Sequence, residues 1–311
     1  MILPSILDCI GQTPFLHLSR LTPPTSARLL VKCEFLNPGG SIKIRPALNM
    51  VRCAEKKGLL HRKSVLCEAT SGNQGIALAM IGAAEGYEVI IVMPENMSIE
   101  RQQLIRSYGA TVVLTPAGAN IGDAIQNAEC CVREIAAANP NVFVPSQFDN
   151  PDNPLGHHAT AHEILNSCDT PIDVFVSGYG TGGTISGIGS VLKESNPDCR
   201  IICAEPENAA VLSGNPVGHH LQMGIGDGFI PKNLNVSLID ALHIVSDAEA
   251  ISAAKAVSRK EGLLVGISSG TNVHVALHYA ALLGPGKTVV TVLPDDGLRY
   301  LSLPEFAAAE A

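Results

Sequence analysis

Apolar and polar positions run through this chain in two rhythms. Short runs rich in Val, Ile and Leu at 88–93, 110–114 and 142–144 have strand character, and the longer segments between them, at 98–108 and 123–137, have helical spacing. The same succession resumes after Ile172, with strands expected near 173–177, 200–204 and 288–293 and a helix reading through Ile185, Ile188, Val191 and Leu192. Strand and helix in alternation predict parallel sheets joined by crossover helices, an α/β fold. Ser246-Asp247-Ala248-Glu249 reads as a capping box opening a helix over 250–260 that Gly262 ends.

Composition narrows the class. A chain of 311 residues can bury a large core and is expected to divide into two lobes. Its 46% hydrophobic content contains no uninterrupted stretch long enough to span a membrane, and the opening Met1-Ile2-Leu3-Pro4 lacks the basic start of a signal peptide. The formal net charge of −8 argues against nucleic acid as a partner. Nine cysteines without C-x-x-C spacing, mostly within apolar runs, read as reduced, buried thiols and point to the cytoplasm. His157, His158 and His162 could be weighed as metal ligands, but the Glu of a zinc-protease motif is missing between His158 and His162, so no metal is expected. His219 and His220, near Pro216 and Gly218, read as a polar surface pair.

Three loops carry candidate chemistry. Lys43 ends Asn37-Pro38-Gly39-Gly40-Ser41-Ile42-Lys43, a turn that presents one amine; lysine is the usual residue for imine chemistry, and burial would make its neutral form available. Alone it would read as a surface lysine. Thr70-Ser71-Gly72-Asn73-Gln74-Gly75 precedes the apolar run 76–81 and so opens a helix, where free N–H groups favour a carboxylate or phosphate. Ser177-Gly178-Tyr179-Gly180-Thr181-Gly182-Gly183-Thr184 lies between a strand and a helix and suggests a phosphate cradle. It also matches G-x-G-x-x-G at Gly178, Gly180 and Gly183, with Glu205 at the end of the next strand, so a dinucleotide site competes. A cofactor with one phosphate, one aldehyde and an amino-acid adduct accounts for all three loops.

With these motifs the chain resembles the cysteine synthase (O-acetylserine sulfhydrylase) group of fold-type II pyridoxal-phosphate enzymes, in the cystathionine beta-synthase-like branch. The likeness covers nearly the whole length, through Gly11-Gln12-Thr13-Pro14, Met93-Pro94-Glu95-Asn96-Met97-Ser98-Ile99-Glu100-Arg101, Gln147-Phe148-Asp149-Asn150-Pro151, Gly228-Phe229-Ile230-Pro231, Gly266-Ile267-Ser268-Ser269-Gly270 and Leu293-Pro294-Asp295. It implies two lobes, each with a mainly parallel sheet flanked by helices: a larger cofactor-binding lobe (1–43 and 148–311) and a smaller mobile substrate lobe (44–147). A homodimer acting on small amino-acid substrates is implied too.

The resemblance also assigns roles. Lys43 would hold pyridoxal phosphate and later take the substrate α-proton; Asn73 would meet the cofactor's 3′-oxygen; Gly180, Thr181, Gly182, Gly183 and Thr184 would hold its phosphate; Ser268 would meet the pyridine nitrogen. Thr70, Ser71 and Gln147 would clamp the substrate carboxylate, with Gln74 beside them. The implied reaction is ping-pong β-replacement on an L-serine derivative through an aminoacrylate, with sulfide giving cysteine. Several positions depart from the family pattern. Gln74 stands where Thr is usual, Asp227 replaces a small residue, Met223 replaces Gln, and Ala161-His162-Glu163 replaces a Thr-Gly-Pro-Glu segment. Asp227 adds a titratable, candidate catalytic group, so a cysteine-consuming lyase, or β-replacement with an amine, water or a thiol such as homocysteine, stands as the alternative.

Overall fold

A computed structural model describes residues 2–70, 72–119 and 121–307. In chain order the elements are β1 (Phe15–His17), β2 (Arg28–Lys32), α1 (Ile44–Lys56), β3 (Val65–Ala69), α2 (Asn73–Glu85), β4 (Glu88–Pro94), α3 (Ile99–Ser107), β5 (Thr111–Thr115), α4 (Ile121–Ala138) and β6 (Val142–Phe143). There follow α5 (Asp152–Leu155), α6 (His158–Ser167), β7 (Val174–Gly178), α7 (Gly183–Ser195), β8 (Arg200–Pro206), β9 (Ala241–Val245), α8 (Asp247–Ala256), α9 (Ile267–Leu283), β10 (Thr288–Val292) and α10 (Pro304–Ala307). They form two sheets, of order β1-β2-β10-β7-β8-β9 and β5-β4-β3-β6, in which only β1 runs antiparallel. The α/β reading therefore holds, because each βαβ unit buries its strands on both faces. Every residue of β3, β7 and β10 is buried.

The expected strands and helices lie within three residues of their predicted bounds, and the Ser246 capping box is formed, with Glu249 bonding back to Ser246. The helix after it passes into a π turn over Val257–Glu261 before Gly262 ends it. The thiols correct the sequence reading. Cys33, Cys67, Cys199 and Cys203 are buried, but Cys9 and Cys130 are exposed and the other three half-buried, because single apolar neighbours do not make a core position. His220 is likewise no simple surface residue: it bonds the Gly226 carbonyl oxygen at 2.9 Å and accepts from the Gln222 N–H at 3.2 Å.

The carboxyl ends of β3, β7 and β10 lead into the loops at Thr70, Gly178 and Pro294, and in open α/β sheets ligands sit at such ends. A buried charge cluster fixes the amine-bearing turn beside them. Arg45, two residues after Lys43, makes two bonds to Glu34 at 2.6 and 2.7 Å and two to Glu163 at 2.7 and 2.8 Å. Lys32 pairs with Glu163 at 2.7 Å. Burial raises the Glu163 carboxyl, but the bonds from Arg45 and Lys32 outweigh it and hold the group at about 2. Removing either partner would leave an uncompensated buried charge at the first turn of α1.

Candidate active site

Two adjoining cavities share Lys43, Asn73, Thr181 and Gly224. Lys43 is half-buried, and its side chain makes neither a hydrogen bond nor an ion pair among the described residues. Burial lowers its pKa, while Asp227 and Asp295 pull it upward. The result is an amine that loses its proton more readily than a surface lysine.

One cavity is lined by the glycine loop, Ser268 and Asn272. α7 begins at Gly183, so its free N–H groups open toward this cavity and favour an anion. Gly182 has φ +78°, and a Cβ there would meet the Leu234 backbone at 2.7 Å, so only glycine keeps the loop in this shape. Thr181 accepts a bond from Asn153 Nδ2 at 3.1 Å. Thr184 Oγ1 lies 3.4 Å from Nε2 of His157, whose pKa is lowered by burial and by the charges of Arg45 and Lys43, so the imidazole is neutral. The Ser268 hydroxyl makes no hydrogen bond among the described residues. An anion cradle, a lone amine and a free hydroxyl around one space match the phosphate, aldehyde and ring nitrogen of pyridoxal phosphate.

The other cavity is lined by Thr70, Gln74, Arg101, Gln147 and Asp227. Thr70 is buried, and its hydroxyl accepts from the Gly72 N–H at 3.1 Å. Ser71 lies outside the described residues. Gln147 donates from Nε2 to the Ala69 carbonyl oxygen at 3.0 Å, and its own carbonyl accepts from Asn153 and Asn233 at 2.6 and 2.8 Å. Asp227 is 7% exposed and accepts no hydrogen bond among the described residues; burial raises its pKa, opposed by Lys43 and His220.

Asn73 is held more tightly than its loop position suggests. Its amide donates to Asp295 at 2.7 Å and accepts from Arg299 at 2.5 Å, and Tyr300 also donates to Asp295 at 2.6 Å. Sequence reasoning missed these partners, and it missed Glu68, which accepts from the Gln147 N–H at 3.2 Å. Burial pushes the Glu68 carboxyl up to about 8, with the Gln147 N–H opposing. A lone carboxyl inside the otherwise apolar strand β3 was the available signal, since acids are seldom fully buried without a partner.

Glu205 weakens the dinucleotide reading. Its buried carboxylate accepts from the Leu212 and Ser213 N–H groups at 2.8 and 3.1 Å and from the Ser213 hydroxyl at 2.6 Å, and it lines neither cavity. It closes its own loop and is not free to hold a ribose.

The profile of a family described as "Pyridoxal-phosphate dependent enzyme" matches residues 6–295. The chain belongs to this family. It is 43% identical over 305 residues to a cysteine synthase of Staphylococcus aureus strain N315, covering 97% of each chain. Among solved structures it resembles O-ureido-L-serine synthase, with a TM-score of 0.94 and 39% identity over 100% of this chain and 97% of that one. It is equally similar in shape to a cysteine synthase of Entamoeba histolytica, with a TM-score of 0.94 and 38% identity over 100% and 93%. Family membership makes pyridoxal phosphate the cofactor. No helix among the described residues is long and apolar enough to cross a membrane.

Proposed function

We propose that this chain catalyses β-replacement on an L-serine derivative, most simply O-acetyl-L-serine with sulfide to give cysteine and acetate. The observation that carries this reading is the placement of Lys43 between an anion cradle and the Thr70 and Gln147 wall, where it alone among lysines lines either cavity. The 43% identical cysteine synthase supports it.

In this reading the backbone N–H groups of Gly180 to Thr184 and the Thr181 and Thr184 hydroxyls hold the phosphate, Asn73 meets the ring oxygen and Ser268 the ring nitrogen. Pyridoxal phosphate, when bound, supplies the electron sink for charge developed at the substrate α-carbon. Lys43, with its pKa lowered by burial, carries the α-proton. A neutral Ser268 hydroxyl stabilises a charged ring nitrogen less than a carboxylate would, which favours loss of a β-substituent over transamination. Thr70, Ser71 and Gln147 orient the substrate carboxylate, Gln74 faces its outer side, and Asp227 serves the second half of the reaction. Residues 44–147 form the smaller mobile lobe against a larger lobe of 1–43 and 148–311, in a cytoplasmic homodimer.

A second reading, cysteine-consuming lyase or replacement with a non-sulfide nucleophile, is favoured by the placement of Asp227 beside Lys43, where a carboxylate repels hydrosulfide. Incubation with O-acetyl-L-serine and sulfide separates the two: equal amounts of cysteine and acetate support the first, and pyruvate and ammonia without cysteine support the second. If neither set of products forms, incubation with cysteine alone and with O-acetyl-L-serine plus an amine or a thiol decides the second reading, which fails if neither sulfide nor a replacement product appears.

Gly182→Leu tests the phosphate cradle. A side chain at φ +78° against the Leu234 backbone shifts the loop, and each lost charge-assisted hydrogen bond costs roughly 1.5–3 kcal/mol. Equilibrium dialysis is expected to show pyridoxal phosphate bound at least tenfold more weakly; unchanged retention would place the phosphate elsewhere.

A further inference from the structure

β3 and β6 run in register only over the pairs Val65 with Val142 and Leu66 with Phe143. β6 is followed by Val144 and Pro145, and proline has no N–H with which to continue a ladder. The chain then turns away at Ser146, whose φ of +57° lies in the left-handed region that residues other than glycine seldom adopt. Backbone of this kind keeps its shape only where its surroundings hold it. Here a side chain takes over where the ladder stops. Glu68, 3% exposed in β3, accepts from the Gln147 N–H at 3.2 Å. Burial disfavours its charged form, and the N–H groups of Gln147, Ala69 and Ser146 oppose that. One residue further along β3, the Ala69 carbonyl oxygen accepts from Gln147 Nε2 at 3.0 Å, while the Gln147 carbonyl oxygen is taken by Asn153 and Asn233. Glu68 itself lines neither of the Lys43 cavities. Its carboxyl lies behind the wall that Thr70 and Gln147 form, and it grips that wall by the backbone.

We propose that Glu68 is the positioning residue of the substrate-carboxylate site: as a hydrogen-bond acceptor it fixes the Ser146 and Gln147 backbone in the conformation that presents Gln147 to the ligand. This inference rests on the reading of Thr70, Ser71 and Gln147 as the carboxylate clamp. Glu68 touches neither substrate nor cofactor in it, so its removal acts on one part of the ligand only. A ligand with an α-carboxylate loses affinity, and an amine without one binds as before.

The test titrates holoenzyme with L-alanine, which carries the carboxylate but no leaving group, and with ethylamine, the same molecule without the carboxylate. Binding is read from the change in near-visible absorbance. Glu68→Met, close in shape but without an oxygen acceptor, is expected to weaken L-alanine about tenfold, the effect of one lost buried hydrogen bond, and to leave ethylamine within about twofold. Glu68→Gln restores an oxygen acceptor and should bring L-alanine back to within about threefold of wild type. Because Glu68 acts through Gln147, adding Glu68→Met to Gln147→Ala should weaken L-alanine no further. Thermal unfolding checks the variants, and Glu68→Leu takes the place of Glu68→Met should the latter not fold. L-alanine binding unchanged in Glu68→Met, equal weakening of both ligands, no rescue by Glu68→Gln, or full additivity with Gln147→Ala overturns the positioning role. Unchanged L-alanine binding in Gln147→Ala overturns the carboxylate clamp itself, and the positioning role with it.

Discussion

Lys43→Ala removes turnover and the near-visible absorbance of lysine-linked pyridoxal phosphate, while the two sheets remain folded. No other lysine lines either cavity, so no amine is placed to substitute. Loss of the proton transfer alone costs on the order of 10²–10⁴-fold, and loss of the covalent link to the cofactor adds to it. The fold is expected to survive because the Lys43 side chain makes no hydrogen bond or ion pair among the described residues, while Arg45 keeps its bonds to Glu34 and Glu163 and so holds the first turn of α1. Thermal unfolding and absorbance spectra of purified protein check both halves. A variant that keeps the absorbance and the turnover would show that another residue holds the cofactor.

Asp227→Ala is expected to spare the first half of the reaction and slow the second. Acetate release depends on Lys43 and the carboxylate clamp, neither of which bonds Asp227. The nucleophile must approach through the cavity that Asp227 lines, and a carboxylate that orients or deprotonates it contributes about 10²–10⁴-fold. Burial raises this carboxyl and the neighbouring Lys43 charge lowers it, so its protonation is coupled to that of the amine. Single-turnover mixing distinguishes the halves: acetate appears at the normal rate, and product after addition of nucleophile appears slowly. If water, amines and thiols all react at the wild-type rate, Asp227 is a turn residue only.

Much of this architecture was legible because local pattern and tertiary environment agree. The segment from β4 to α4 alternates strand and helix period cleanly, and its elements fall where the spacing put them. α9 carried no such signal: Ile267, Val273, Val275, Ala276 and Ala280 point all round its axis, so the helix is buried without a polar face to reveal its period. The glycine loop was legible as an anion site but ambiguous as to ligand, since Gly178, Gly180 and Gly183 satisfy the dinucleotide spacing. Glu205 resolves this only in three dimensions, where it caps the loop at Leu212 and Ser213. Asn73 shows the same limit: its partners Arg299 and Asp295 lie more than 200 residues away, and no local rule links them.

Mixing holoenzyme with O-acetyl-L-serine in the absence of any nucleophile tests whether Lys43 and the surrounding loops carry a two-stage β-replacement. A rapid burst of one acetate per active site is expected, without cysteine, followed by one equivalent of replacement product when a thiol or sulfide is added. Acetate that appears only after the nucleophile is present, or a burst undiminished in Lys43→Ala, would contradict it.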